Sequence, residues 1–148
     1  MPSCELNHLT SIGQHFGYPW CHQGDTLDPK LGAGKSCADY VPPVVKVGPH
    51  MAPLGMEFYR GEGFPADYRN AIFICEHGSW NRSTPIGYRV DVVRQQTDGQ
   101  WKQEVFASGW LEGSSAWGRP VDLLELPDGS LLVSDDDAGL VYRITYDH

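Results

Sequence analysis

The chain has 148 residues, of which 41% are hydrophobic and 20% charged, and its formal net charge is −8. This length and composition are typical of one globular domain and not of a disordered chain. The negative charge argues against a nucleic-acid interface, which needs Lys and Arg for the phosphates. No apolar run approaches the roughly 18 residues that would span a bilayer, and the polar N-terminus predicts no signal peptide.

Residues 1–49 are rich in Gly and Pro and show little periodicity, which predicts ordered loop with short extended pieces. The four cysteines are Cys4, Cys21, Cys37 and Cys75. They form no CxxC pair, so a zinc ribbon is not expected. A Cys21–Cys37 bridge is favoured because it would close a Gly/Pro-rich loop, provided that the protein meets an oxidising compartment. Four free thiols are the alternative. Cys75 ends an apolar run and is expected to be buried.

From residue 50 onward, short alternating or apolar segments separated by turns predict antiparallel strands. The strands are predicted near 56–60, 71–76, 87–94, 101–107, 120–126, 130–135 and 140–146. Asp-Gly pairs at 98–99 and 128–129 supply turn signals between neighbouring strands. We therefore predict an all-β fold of antiparallel β-propeller blades: a long loop region over 1–49, a four-stranded blade over 50–107 and an incomplete three-stranded blade over 118–146.

The acidic segment 135–137 is interpreted as a β-turn at a strand end. An EF-hand calcium loop that began at Asp135 would need Glu at position 146, where the chain has Tyr146. The six histidines contain no HExxH or HxH arrangement, so a catalytic zinc site is not expected.

Several longer segments resemble the C-terminal part of one enzyme family. They are ELNHL at 5–9, GQHFGYP at 13–19, IFICEHGSWNRS at 72–83, GRPVD at 118–122 and PDGSLLVSDD at 127–136. Together they resemble the glucose/sorbosone dehydrogenases, soluble quinoproteins that carry pyrroloquinoline quinone (PQQ). The EHGSWNRS, GRPVD and PDGSLLVSDD segments resemble the L-sorbosone-dehydrogenase-like branch in particular.

The resemblance implies part of a six-bladed β-propeller with PQQ and Ca²⁺ as cofactors. It implies oxidation of an aldose or related sugar with hydride transfer to the quinone, and a periplasmic or secreted location. Nothing in the chain corresponds to the family's catalytic histidine, so no catalytic residue is assigned and the isolated chain is expected to be inactive. The alternative function is a non-catalytic half-propeller that acts as a binding or assembly module.

Arg119 matches the position of a PQQ-binding arginine of that family. Its planar guanidinium is suited to bind a carboxylate of the cofactor through two parallel hydrogen bonds. The alternative is a surface arginine paired with Asp122 or another carboxylate. A second family arginine, two residues further on, is Val121 in this chain, which removes one cation from the expected site.

Two histidines are the next cofactor-binding candidates by resemblance. His50 falls at a position that faces the cofactor in the glucose-dehydrogenase branch, and His77 lies close to a PQQ-binding lysine of that branch. Arg82 is a further cation in the segment that follows His77. An imidazole could donate to a quinone oxygen or carboxylate, and a hydrogen-bonded loop histidine is the alternative for each.

The N-terminal segment resembles a structural calcium loop of the family. Glu5 matches a carboxylate ligand, Phe16 a position that contributes a backbone carbonyl, and Asp25 lies near another carboxylate position. Calcium takes six to eight oxygens and would order an irregular loop. Exposed, unligated carboxylates are the alternative.

The expected partners are a sugar substrate and further protein, with no nucleic acid and no membrane span. A four-stranded and a three-stranded blade would leave strand edges unpaired and apolar faces uncovered. The chain is therefore expected to form a homo-oligomer or to need the missing N-terminal half of the propeller.

Overall fold

The computed structural model describes residues 1–147 and divides the chain into two compact units, residues 1–49 and the residues from His50 onward. Both units contain antiparallel sheets, and the described residues contain no α-helix. Two single-turn 3₁₀ helices cover Cys37–Asp39 and Ala66–Tyr68. Within residues 1–147, no helix has the length and apolar character to cross a membrane. The predicted all-β, antiparallel fold is confirmed.

The first unit consists mostly of loop, with two small antiparallel sheets. Its strands are β1 (Cys4–Leu6), β2 (Cys21–His22), β3 (Thr26–Leu27) and β4 (Val45–Gly48). Strand β1 pairs with β4, and β2 pairs with β3. A disulfide joins Cys21 to Cys37 across a Cα–Cα distance of 5.5 Å, which confirms the predicted pairing. The side chains of His15, Trp20 and Tyr40 pack together beside it, with ring centroids 4.9–6.1 Å apart.

The second unit begins with a four-stranded antiparallel sheet. Its strands, in sheet order, are β5 (Pro53–Phe58), β6 (Ile72–Glu76), β7 (Arg89–Gln95) and β8 (Trp101–Ser108). All five residues of β6 are buried, as the continuous apolar run predicts. Strand β5 begins before its predicted start because Pro53 pairs with Glu76 ahead of a register irregularity. Strand β7 begins later than predicted because Gly87 and Tyr88 have φ values of 89° and 56°.

A small hairpin and a three-stranded sheet follow. The strands are β9 (Leu111–Glu112), β10 (Ser115–Ala116), β11 (Pro120–Glu125), β12 (Leu131–Asp135) and β13 (Leu140–Ile144). Strands β11, β12 and β13 are antiparallel neighbours in that order, and β9 pairs with β10. The sequence did not predict the hairpin, and β13 ends two residues before its predicted end.

The hydrophobic core of the second unit includes side chains from both of its larger sheets. Buried members include Tyr59, Phe73, Cys75, Val90, Val92, Leu123, Leu131 and Val133. Cys75 is a free, buried cysteine, as predicted. The hydroxyl of Tyr59 donates to the Gly129 carbonyl at 2.7 Å and accepts from the Phe64 N–H at 2.9 Å, so this buried side chain ties the two sheets together.

Candidate functional site

The same end of both larger sheets carries the polar residues of the candidate site. In the first sheet, the start of β5 pairs with the end of β6 at Pro53 and Glu76. In the second sheet, the start of β11 pairs with the end of β12 at Pro120 and Asp135. His77 directly follows β6, and Arg119 directly precedes β11. The topology therefore brings residues that are far apart in sequence to neighbouring strand ends.

His77 is held by a carboxylate of the other sheet. Its Nε2 lies 2.9 Å from Oδ1 of Asp136, the first residue after β12. The side chain of His77 is 21% exposed and that of Asp136 is 62% exposed. The backbone N–H of His77 donates to the Ala52 carbonyl at 3.1 Å. These two contacts fix the ring, and they leave Nδ1 as the ring atom able to exchange a hydrogen bond with a ligand.

Arg119 is half-buried, and its guanidinium packs against an aromatic ring. Its guanidinium carbon lies 5.0 Å from the ring centroid of Tyr88, and its Nη2 donates to the Tyr88 hydroxyl at 3.3 Å. Among residues 1–147, no carboxylate lies within ion-pair distance of the guanidinium. The structure therefore does not contain the alternative ion pair between Arg119 and Asp122. A partly buried guanidinium without a carboxylate partner is suited to an anionic group of a ligand.

Asp135 positions the backbone of Arg119. Its Oδ1 accepts from the N–H of Arg119 at 2.9 Å and from that of Ala138 at 2.9 Å, and its Oδ2 accepts from the Tyr142 hydroxyl at 2.8 Å. Burial acts to raise the pKa of Asp135, but these hydrogen bonds outweigh it and lower the pKa. The residue is therefore an ionised anchor of the turn that starts at the end of β12.

The segment after His77 is anchored on Tyr88. Gly78 has a φ of 101°, and a Cβ at this position would lie 2.6 Å from the Tyr88 ring, so only glycine fits. The Tyr88 hydroxyl donates to the Ser79 carbonyl. Tyr88 thus contacts both the His77 segment and Arg119.

The two remaining candidates are His50 and Arg82. His50 is half-buried with a φ of 57°, and the carbonyl of its neighbour Met51 accepts from the Gly78 N–H at 2.9 Å. Arg82 lies further along the His77 segment, where its Nε donates to the Thr84 carbonyl at 3.1 Å. Tyr88 links Arg119 to the segment that follows His77, Asp136 contacts His77, and the backbone beside His50 bonds to the same segment at Gly78.

Glu76 is a buried acid immediately behind His77. Its side chain is 0% exposed, and neither carboxylate oxygen has a hydrogen-bond partner within the described part of the chain. Across the sheet from it, Arg89 forms an ion pair with the buried Asp91 at 2.8 Å. Burial, and to a smaller extent the charge of Asp91, raise the pKa of Glu76 to about 8, while Arg89 acts in the opposite direction. At neutral pH this carboxyl is mainly protonated, and the Arg89–Asp91 pair keeps the cluster neutral.

The predicted calcium residues lie in the first unit. The backbone N–H of Gln23 donates to Glu5, and its amide nitrogen donates to Oδ1 of Asp25 at 3.0 Å. The hydrogen bond from Lys46 is the largest cause that lowers the pKa of Asp25 to about 2. Phe16 is half-buried. No group of three or more His, Cys, Asp or Glu residues suited to hold a metal occurs among residues 1–147.

This donor set does not complete a calcium site as it stands. It offers two carboxylates and one backbone carbonyl towards the six to eight oxygen ligands that Ca²⁺ takes, and Lys46 already neutralises one of the carboxylates. We therefore derive no calcium-dependent step from it, and the calcium assignment stays a prediction.

Sequence reasoning missed Asp136 and Tyr88 as members of the site. Asp136 was interpreted only as part of an acidic turn, because its contact with His77 spans 59 residues of sequence. No local pattern marks Tyr88, whose role depends on Gly78 and on Arg119.

The fold is that of a β-propeller-type domain, and the cluster of polar residues lies at one end of its two larger sheets. The model of the TrAA12-like family matches residues 26–147, and the chain belongs to this family. Membership of the glucose/sorbosone dehydrogenases, which the sequence segments suggested, is not confirmed.

Two relatives illustrate the range of the family. An uncharacterized protein of Borreliella burgdorferi is 36% identical over 151 residues, which cover 99% of this chain and 40% of that protein. A pyrroloquinoline quinone-dependent pyranose dehydrogenase of Coprinopsis cinerea is 33% identical over 129 residues, which cover 72% of this chain and 17% of that protein. The chain thus spans less than half the length of these relatives.

Solved structures share the fold. The holo PQQ domain of the Coprinopsis cinerea pyranose dehydrogenase matches with a TM-score of 0.67 and 27% identity, covering 90% of this chain and 40% of that one. A calcium structure of a Trichoderma reesei enzyme of Carbohydrate-Active Enzymes Family AA12 matches with a TM-score of 0.72 and 23% identity, covering 97% of this chain and 42% of that one. The second likeness concerns the fold alone.

Proposed function

We propose that this chain forms one wall of the PQQ site of a sugar oxidoreductase whose substrates are pyranoses or related aldoses. The observation that carries the proposal is Arg119, a half-buried guanidinium with no described carboxylate partner, beside a histidine fixed by Asp136. The family and the PQQ-dependent pyranose dehydrogenase relative support the cofactor and the substrate class. A sorbosone-type aldehyde remains an alternative substrate.

The residues present fit a polyanionic quinone. Arg119 would bind a carboxylate, with Tyr88 holding the guanidinium in place from its other side. Because the Asp136 carboxylate accepts from the Nε2–H of His77, the neutral ring would present Nδ1 as an acceptor for an N–H or O–H group of the ligand. His50 and Arg82 are proposed as further cofactor contacts at the margin of the same cluster. PQQ, when bound, supplies the two-electron acceptor for oxidation of the sugar.

The Cys21–Cys37 disulfide supports a periplasmic or secreted location, because such bridges persist in oxidising compartments. Calcium binding through Glu5 and Asp25 also remains a proposal, and Ca²⁺ would have to displace Lys46. A rise in Tm on adding Ca²⁺ that is lost in Asp25→Asn would support calcium binding. A Tm that does not change when Ca²⁺ is added would reject it.

The first test is PQQ affinity, measured by isothermal titration calorimetry. Arg119→Ala should weaken binding by roughly 2 kcal/mol, or about 30-fold, because a charge-assisted hydrogen bond is lost. Arg143→Ala is the matched control: it removes the same charge from a residue that pairs with Asp128 at the other end of the second sheet. Unchanged affinity in Arg119→Ala, or a wild-type chain that binds no PQQ, would reject the proposed site.

A further inference from the structure

Trp80 is an unusually exposed aromatic side chain beside the candidate site. Its side chain is 82% exposed, although tryptophan is on average one of the more buried residues. It lies three positions after His77, in the segment that joins β6 to β7. A large apolar ring that is exposed beside a cluster of polar groups is typical of a recognition surface.

The segment presents Trp80 from a fixed base. Ser79 is only 4% exposed, its N–H donates to the Ile86 carbonyl at 2.9 Å, and its hydroxyl accepts from the Ile86 N–H at 3.0 Å. Gly78 is fixed in turn by its hydrogen bond to the Met51 carbonyl at 2.9 Å. Three hydrogen bonds, two at Ser79 and one at Gly78, therefore hold the two residues before Trp80, while the indole itself is exposed to solvent.

The backbone of Trp80 also follows directly after a residue that is linked to the proposed cofactor contacts. The Ser79 carbonyl accepts the Tyr88 hydroxyl, and that hydroxyl accepts Nη2 of Arg119 at 3.3 Å. Consecutive Cα atoms are roughly 3.8 Å apart, so the backbone of Trp80 begins one residue from this chain of contacts.

We propose that Trp80 is a substrate-contacting residue that stacks on the C–H face of a pyranose ring. The substrate class rests on the proposed function. One face of a pyranose presents C–H groups that match the flat indole, while its hydroxyls need polar partners. Asn81, the exposed residue that follows Trp80, and Asp136, which contacts His77, would supply such partners. Trp80 would thus select ring-form sugars over open-chain polyols, which have no rigid apolar face.

The test is sugar binding measured by saturation-transfer NMR with methyl β-D-glucopyranoside, on this chain with and without PQQ. Trp80→Ala should raise the Kd about tenfold and Trp80→Phe about threefold, because the smaller ring retains part of the stacking. Tyr146→Ala is the matched control, a 48% exposed aromatic near Asp128 at the far end of the sheet. The open-chain polyol sorbitol should show no dependence on Trp80.

The outcomes separate this inference from the proposed function. Equal sugar affinity in wild type and Trp80→Ala, or a chain that binds PQQ but no sugar, would overturn the stacking role. A chain that binds sugar through Trp80 but binds no PQQ would uphold the stacking role and reject the cofactor site. Because Trp80 is exposed, an unchanged Tm is expected in both variants and would show that any loss is one of contact and not of folding.

Discussion

At the scale of single residues, the carboxyl group of Glu76 has a strongly raised pKa. Its pKa rises from the ordinary value of 4.5 to about 8, chiefly through burial. The folded state therefore keeps a proton that the unfolded state loses above pH 4.5. Since the folded chain binds more protons in this range, its stability falls as the pH rises from about 4.5 to about 8.

We predict that Glu76→Gln removes this pH dependence. The amide keeps the shape of the protonated acid, so the variant should match wild type near pH 5 and exceed it above pH 8 by roughly 4 kcal/mol. Urea unfolding at several pH values measures the difference. Glu112→Gln, on an exposed residue of β9, should leave the pH profile unchanged. Parallel profiles for wild type and Glu76→Gln would contradict the assignment.

The site residues divide into those that local sequence could reveal and those that it could not. His77 and Arg119 lie in segments whose sequences resemble those of a known enzyme family, so the sequence alone identifies them as candidates. The partners that fix them, Asp136 and Tyr88, act across sheets and strands. A positive φ at Tyr88 is uncommon for an aromatic residue, and nothing in its neighbours other than Gly87 signals it.

At the scale of elements, Tyr59 joins the two larger sheets through one buried hydroxyl. Its two hydrogen bonds, to the Gly129 carbonyl and from the Phe64 N–H, have no substitute when the hydroxyl is removed. We predict that Tyr59→Phe lowers the free energy of unfolding by roughly 2 kcal/mol, because two buried backbone groups lose their partner. Urea denaturation measures this loss. Tyr18→Phe, on a 78% exposed ring, should change stability by less than about 0.5 kcal/mol.

The elements that sequence predicted well are those whose residues face a core. Strands β6 and β12 are apolar over most of their length, and both fall within a residue of their predicted bounds. The β9–β10 hairpin was missed because two-residue strands are too short for alternation to show. Strand starts were displaced where a register irregularity at Pro53 or a positive φ at Tyr88 intervened, and neither leaves a periodic signal.

At the scale of the whole molecule, the second sheet ends in an open edge. Strand β13 pairs with β12 on one side, and no strand within residues 1–147 pairs with its other side. The edge carries exposed apolar residues, with Leu140 51% and Val141 64% exposed. Unpaired backbone groups next to apolar side chains favour addition of another strand. The first sheet has four strands where this one has three, so one further strand would make the two alike.

We predict that the isolated chain associates through this edge, and that a C₂ pair of β13 strands is the simplest closed arrangement. Sedimentation velocity over a micromolar concentration range should show a sedimentation coefficient that rises with concentration. Val141→Lys should shift the chain towards monomer, because a charged residue on an edge strand disfavours strand addition. Ser115→Lys adds the same charge to an exposed residue of the β9–β10 hairpin and should leave association unchanged. A wild-type chain that stays a compact, cooperatively unfolding monomer at every concentration would contradict the association, since the edge would then be tolerated without a partner.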